Sequence, residues 1–183
     1  MSVRTWAALA ALAVALTGCQ GKTTTGTQSG SGATGSEVDA MALEQLQGLP
    51  SLEDTTTALR TAVDAIAAEA DRAASGLRWE DQPGGATAGC EKPYANTPGQ
   101  RSRLPQKVAR NAALTVEQWA QITTAARQAA ATAGAPTAQM MPAAPANRSA
   151  TFIGQAGLSV AVSYTGVLTI AADTGCRLPA ADK

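Results

Sequence analysis

The sequence predicts an α+β fold in which two main helices pack on one face of a mostly antiparallel sheet. Two alanine-rich segments carry apolar residues at three- and four-residue steps, the spacing of helices that bury one face. Three C-terminal segments are separated by glycines, which indicates a three-stranded meander of two hairpins. The order of helix, strand, helix and three strands therefore favours an α+β sandwich.

The first main helix is predicted to begin after Pro50, with Ser51 as its N-cap, and to end near Gly76. Residues 77–82 then alternate in character and predict a short strand, which Pro83 stops. The apolar positions of the helix recur at helical spacing. They are Leu52, Leu59, Val63, Ile66 and Ala70.

The second main helix is predicted to begin at Thr115, where the Thr-x-x-Gln pattern with Gln118 indicates a capping box. Gly134 is expected to end it. Before this helix, residues 86–103 are rich in Gly, Pro and Asn and predict a loop, and residues 107–112 fit either a strand or an extended arm. The apolar positions of the helix are Val116, Trp119, Ile122, Ala126, Ala129 and Ala133.

The C-terminal part is predicted to be strands 150–155, 158–165 and 167–172, preceded by a proline-rich loop at 135–147. In the middle strand one face is apolar and the other is small and polar, so we expect helices to cover one side only. Trp79 and Trp119 are in phase with apolar faces, which favours core packing over exposed binding sites. The expected buried face is Leu158, Val160, Val162 and Tyr164.

Composition and motifs argue against several function classes. The chain has 14 basic and 14 acidic residues and no histidine, so it lacks the charge of a nucleic-acid binder, most zinc sites and any Ser-His or Cys-His nucleophile. It has no GxSxG elbow, no GxxxxGK[ST] loop and no GxGxxG after a predicted strand. Glu80 and Asp81 would point to opposite faces of a strand and cannot act as a pair. We therefore expect no enzyme activity, no catalytic residues, no cofactor and no metal.

The N-terminus predicts export and a lipid anchor. Residues 1–18 have the pattern of a signal peptide, with Arg4, an apolar run at 6–16 and then small residues. Leu-Thr-Gly-Cys at 16–19 resembles the bacterial lipobox, which implies a diacylglycerol on the Cys19 thiol and attachment to the extracytoplasmic face of the cell membrane. An ordinary secreted protein with Cys19 near its cleavage point is the alternative.

Domain organisation follows from composition. Residues 19–36 are almost all Gly, Ser, Thr and Gln and predict a flexible linker, which leaves 37–183 as one domain. In an oxidising compartment Cys90 and Cys176 are expected to form a disulfide. A metal or redox pair is the alternative, but the two cysteines lack CxxC spacing.

Several short motifs are shared with a known family. They are Trp79, Cys90, the helix that contains Trp119, Gly157 in a hairpin, and Thr-Gly-Cys-Arg-Leu at 174–178. Together with the lipobox, these residues resemble the LppA-type lipoproteins of mycobacteria and their relatives, over roughly 77–179. The loop at 135–147 is richer in Pro and Ala than that pattern. The resemblance implies an anchored extracytoplasmic domain with Cys90 paired to Cys176, and it implies no mechanism.

Two function classes remain open. The first is a lipid-anchored binding domain that presents a sheet face or a loop to an unknown envelope protein or lipid. The alternative is a carrier that stores a small hydrophobic ligand between the helices and the sheet, which needs a sizeable apolar cavity. Residues 139–142 form an apolar spot in a predicted loop, either a partner surface or disordered chain.

Overall fold

The computed structural model describes residues 35–140 and 147–183, and all of them fall within one compact unit. Cys19, the signal peptide and nearly all of the predicted linker lie outside these residues. The helices are α1 (Gly35–Gln47), α2 (Leu52–Ala73) and α3 (Val116–Thr132). The strands are β1 (Trp79–Gln82), β2 (Ala88–Gly89), β3 (Gln100–Arg101), β4 (Gln106–Ala109), β5 (Thr137–Met140), β6 (Arg148–Ile153), β7 (Ser159–Tyr164) and β8 (Leu168–Asp173).

Six of these strands form one antiparallel sheet in the order β1-β4-β8-β7-β6-β5. The helices α2 and α3 pack on each other and on β6, β7 and β8. The predicted α+β fold and its C-terminal meander are therefore confirmed. The short strands β2 and β3 pair separately, within the segment that was predicted to be a loop.

Both main helices begin where their capping residues predict. The Ser51 hydroxyl accepts a hydrogen bond from the Asp54 backbone N–H at 3.0 Å, and Thr115 forms the full capping box with Gln118. The prediction is wrong at Val116, which is 63% exposed. Its spacing from Trp119 is helical, but no other part of the described chain covers the first turn of α3 at this position.

The interior between the helices and the sheet is filled by side chains. Trp119 and Ile122 of α3 and Val160 of β7 belong to one core, as their phase predicts. Trp79 is half-buried against the same core, and its indole N–H donates to the Asp71 carboxylate at 3.0 Å. Fully buried residues of this layer include Leu59, Ile66, Ile122, Phe152, Leu168 and Ile170. Among the helices that the structure describes, none is long and apolar enough to cross a membrane.

Two elements correct the predictions from local pattern. Residues 137–140 form β5, an edge strand paired with β6, although they were predicted to be loop; Met140 is exposed there, and residues 141–142 lie outside the described residues. The helix α1 was not predicted, and it begins at Gly35, inside the predicted linker. Both depend on distant partners: β5 on the ladder with β6, and α1 on Leu46, which is buried against Cys176 and Leu178.

Candidate functional site

The segment 173–178 begins at the last residue of β8 and is buried along its length although it contains three polar side chains, Asp173, Thr174 and Arg177. Its backbone is held on three sides. Arg177 exchanges two backbone hydrogen bonds of 2.8 Å with Gln100 of β3, and the carbonyl of Leu178 accepts from Leu52 at the start of α2. The N–H of Cys176 donates to the carbonyl of Ala156 in the preceding turn at 2.7 Å. The segment is therefore fixed between β3, α2 and the turn at 155–157.

Gly175 makes this close approach to the turn possible. Its φ is +59°, a conformation that glycine adopts without strain. A Cβ at this position would lie 2.3 Å from the backbone nitrogen of Leu158 and 2.4 Å from the carbonyl oxygen of Ala156. A side chain at this position would therefore clash with the turn, which explains the glycine of the Thr-Gly-Cys-Arg-Leu motif.

The disulfide expected between Cys90 and Cys176 is present, with the two Cα atoms 5.7 Å apart. Beside it lies a cleft of about 330 Å³, whose walls include Tyr94 and Arg101. Arg101 donates to the Asp173 carboxylate at 2.7 Å, and this hydrogen bond is the main reason why the pKa of Arg101 is raised. Arg101 also lies 3.7 Å from the Glu91 carboxylate, so the charge of this arginine is paired.

The buried Arg177 has no such counter-charge. Only 2% of the residue is exposed, and its Nη1 donates to the backbone carbonyls of Gln155 at 3.2 Å and of Cys176 at 2.6 Å. Its Nε–H has no partner, and within residues 35–140 and 147–183 no carboxylate lies within 4.0 Å of the guanidinium. Desolvation lowers the pKa of Arg177, with a smaller opposing effect of Tyr94. An arginine nevertheless remains charged at neutral pH.

Arg177 borders a second cleft, of about 290 Å³, which we call the Arg177 cleft. It lies between the first turns of α2, the C-terminal end of α3 and the turn at 155–158. Thr55 of α2 also lines it, and the Thr55 hydroxyl is buried without a hydrogen-bond partner. Across the described ranges, the Thr55 hydroxyl and the Arg177 Nε are the two buried side-chain atoms left in this condition. Further lining residues are Asp54, Ala58, Thr132 and Gln155.

The binding groups of the Arg177 cleft are side chains rather than free backbone donors. The amide N–H groups of Leu52, Asp54 and Thr55 are already used, by the Leu178 carbonyl, the Ser51 hydroxyl and the Ser51 carbonyl. The residues that line the cleft therefore include a buried arginine and a buried threonine, together with the exposed Asp54. Such a set of groups can bind a small polar molecule.

Neither Thr55 nor Arg177 is among the site residues predicted from the sequence. Arg177 belongs to the Thr-Gly-Cys-Arg-Leu motif, whereas Thr55 belongs to no motif or set of residues identified from the sequence. A signal was nevertheless present. Thr55 stands three residues after Leu52 and four before Leu59, so a polar side chain occupies a position on the apolar face of α2.

Glu80, Asp81 and Glu117 do not line the Arg177 cleft. Glu80 pairs with Arg110 at 3.0 Å, and Asp81 lies 3.6 Å from Lys107. Glu117 sits in the first turn of α3, where its own backbone N–H and the Thr115 hydroxyl lower its pKa. Glu80 and Asp81 therefore form ion pairs at the edge of the sheet, and Glu117 interacts with the start of α3.

The chain is similar to known proteins in structure and in sequence. The structure is similar to that of the lipoprotein LppA from Mycobacterium tuberculosis, with a TM-score of 0.60 and 18% identity over 79% of this chain and 87% of that one. It also matches a DUF4853 family protein from Actinomyces odontolyticus, with a TM-score of 0.48 and 16% identity over 73% and 72% of the two chains. No curated protein matches the sequence. The sequence model of the LppA family, described as a lipoprotein confined to pathogenic Mycobacterium, matches residues 27–180, and the chain therefore belongs to the LppA family of lipoproteins.

Proposed function

We propose that this lipoprotein is a binding domain held on the extracytoplasmic face of a cell membrane by a lipid on Cys19. We propose further that it binds its ligand at the Arg177 cleft without transforming it. Membership of a lipoprotein family supports an envelope location. The lipobox at residues 16–19 supports Cys19 as the attachment point.

The observation that carries the binding role is the pair of unpartnered polar atoms at one cleft. A buried polar group without a hydrogen bond costs about 1–3 kcal/mol, and such groups are rare in folded proteins. Thr55 and Arg177 come from opposite ends of the domain, yet both line the same opening. A ligand that supplies the missing partners is the simplest reason for keeping both residues there.

The packed interior supports this proposal over the carrier of hydrophobic ligands. Ile122, Phe152 and Val160 are completely buried between the helices and the sheet, in the layer where a stored lipid would have to lie. The Arg177 cleft, at about 290 Å³, is at the lower end of ligand pockets and contains charged groups. Its size and lining suit a small polar molecule better than an acyl chain.

A photo-crosslinking experiment in intact cells tests the binding role. A photoreactive residue replaces Thr132, which lines the Arg177 cleft, and in a control it replaces Thr61. Both threonines are exposed on helices, and both donate to the carbonyl four residues earlier, so the substitutions are matched. We expect an adduct at Thr132 that is absent at Thr61. Equal labelling at both positions, or none at Thr132, would contradict the proposal.

Membrane attachment is tested separately by Cys19→Ala. We expect the variant to appear in the soluble fraction or to stay uncleaved, because the thiol is the acceptor for the lipid. A variant that is processed normally and still enters the detergent phase would exclude lipidation at Cys19. A solvent extract of the purified protein, analysed by mass spectrometry, distinguishes the carrier by a stoichiometric lipid other than the anchor.

A further inference from the structure

We infer that the ligand of the Arg177 cleft is a small carboxylic acid that also carries a hydrogen-bond donor, as amino acids and short peptides do. This inference rests on the proposed function, since it specifies the ligand chemistry of the same cleft. Three features of the lining lead to it: the unpaired guanidinium, the unpaired hydroxyl and the acidic wall.

The guanidinium of Arg177 favours an oxyanion as its ligand. Arg177 is buried and carries a positive charge, and the hydrogen bonds of its Nη1 go to neutral carbonyls. Removing a cation from water without a counter-ion is costly, and a bound anion would offset that cost. The free Nε–H is a donor of the planar fork with which arginine recognises carboxylates and phosphates.

The hydroxyl of Thr55 adds a second contact for the same ligand. Thr55 lines the same cleft, and its hydroxyl is buried without a partner, so it is free to donate to an anionic oxygen. A carboxylate has two oxygens and can accept from both groups. Thr55 and Arg177 could therefore each donate to one oxygen of the same carboxylate.

The carboxylate of Asp54 distinguishes between anions. It lines the same cleft and is exposed, so it repels a phosphate dianion more strongly than it repels a carboxylate. It also offers an acceptor for an ammonium or hydroxyl group on the ligand. The wall therefore favours a zwitterion or a hydroxy acid over inorganic phosphate.

The test follows the Arg177 Nε–Hε signal by NMR in the full chain, with its lipid, in detergent micelles. The probes are diglycine, acetate and inorganic phosphate, added at increasing concentration. We expect a saturable shift with diglycine, at a dissociation constant of about 1–10 mM for so small a ligand, with acetate weaker and phosphate weakest. Arg148 is an internal control, because it is also buried but donates to the Thr115 carbonyl and stacks on Tyr164.

Two variants keep the result interpretable if Arg177 itself proves necessary for folding. Thr55→Val removes the hydroxyl at nearly constant volume, and we expect it to weaken diglycine binding about fivefold while the stability stays equal or rises. Asp54→Asn should reduce the preference for diglycine over acetate about threefold, as expected for an exposed charge. A structural role for Thr55 alone would leave diglycine binding unchanged.

Several outcomes would overturn the inference. One is that the Arg177 signal shows no saturable shift with any probe, as when a resident water satisfies both groups. Another is that phosphate binds more tightly than diglycine, or that the Arg148 signal shifts as much as the Arg177 signal. The last is that Thr55→Val binds diglycine as tightly as the wild type does. The photo-crosslinking result separates the two proposals. An adduct at Thr132 without any response of Arg177 contradicts the ligand chemistry but leaves the binding role standing, whereas the loss of both removes both.

Discussion

Replacing Cys90 and Cys176 together by alanine tests how far one covalent bond stabilises this domain. The disulfide joins residues 86 apart in sequence and so closes a loop of 87 residues. In the chain-entropy model a loop of this length restricts the unfolded state by about 4.6 kcal/mol at 25 °C. Strain and residual structure reduce this value, so we expect a loss of about 3–5 kcal/mol. That is a large part of the ~5–15 kcal/mol that stabilises an ordinary domain.

Urea unfolding of the oxidised wild type and of the double alanine variant measures this loss. The variant should also unfold with a larger m-value, because its unfolded chain is no longer held compact by the cross-link. Reduced wild type is the control and should match the variant within about 1 kcal/mol, since Cys176 loses only local packing against Leu46 and Leu178. A loss below about 1 kcal/mol with an unchanged m-value would refute the reasoning.

Three further predictions follow from named contacts. Trp119→Ala should lower the free energy of unfolding by about 3–5 kcal/mol, and Ser159→Ala by less than about 0.5 kcal/mol, as measured by thermal unfolding. The reason is that Trp119 lies in the core and Ser159 on the open face of the sheet. The reverse order would mean that both faces are misassigned. Gly175→Ala should reduce the free energy of unfolding by at least about 2 kcal/mol more than Gly166→Ala does. Both positions have a positive φ, but only at position 175 would a Cβ clash with backbone atoms. Equal losses would leave backbone strain alone as the cause. Glu117 has a folded pKa below its ordinary value of 4.5, so its stabilising effect is present above that pH and is lost as the pH falls; Glu117→Gln should flatten the decline in Tm between about pH 5 and pH 3, and an unchanged decline would contradict this.

The local elements were predictable because their signals lie within a few residues of each other. Ser51 and Thr115 cap their helices through groups three residues away, and the alternation along β7 follows directly from strand geometry. The interval between Trp119 and Ile122 places both on the buried face of α3. Such relations need no knowledge of the rest of the chain.

Edge elements were missed because their stability comes from distant segments. The composition of residues 137–140 indicates a loop, and only the ladder with β6 makes them a strand. Val116 has the spacing of a buried residue, but burial also requires another segment to cover it, and none of the described segments does so. The first helix likewise depends on the contact between Leu46 and the disulfide region.

The sequence by itself determined the α+β class, both main helix starts, the C-terminal meander and the likeness to LppA-type lipoproteins, because each of these depends on neighbouring residues or on short motifs. Only the tertiary structure decided that Thr55 and Arg177 line one cleft, since 122 positions separate them and α2, the turn at 155–158 and the C-terminal segment must meet to bring them together. Whether a buried polar atom has a partner depends on all the segments around it, and no local pattern records that.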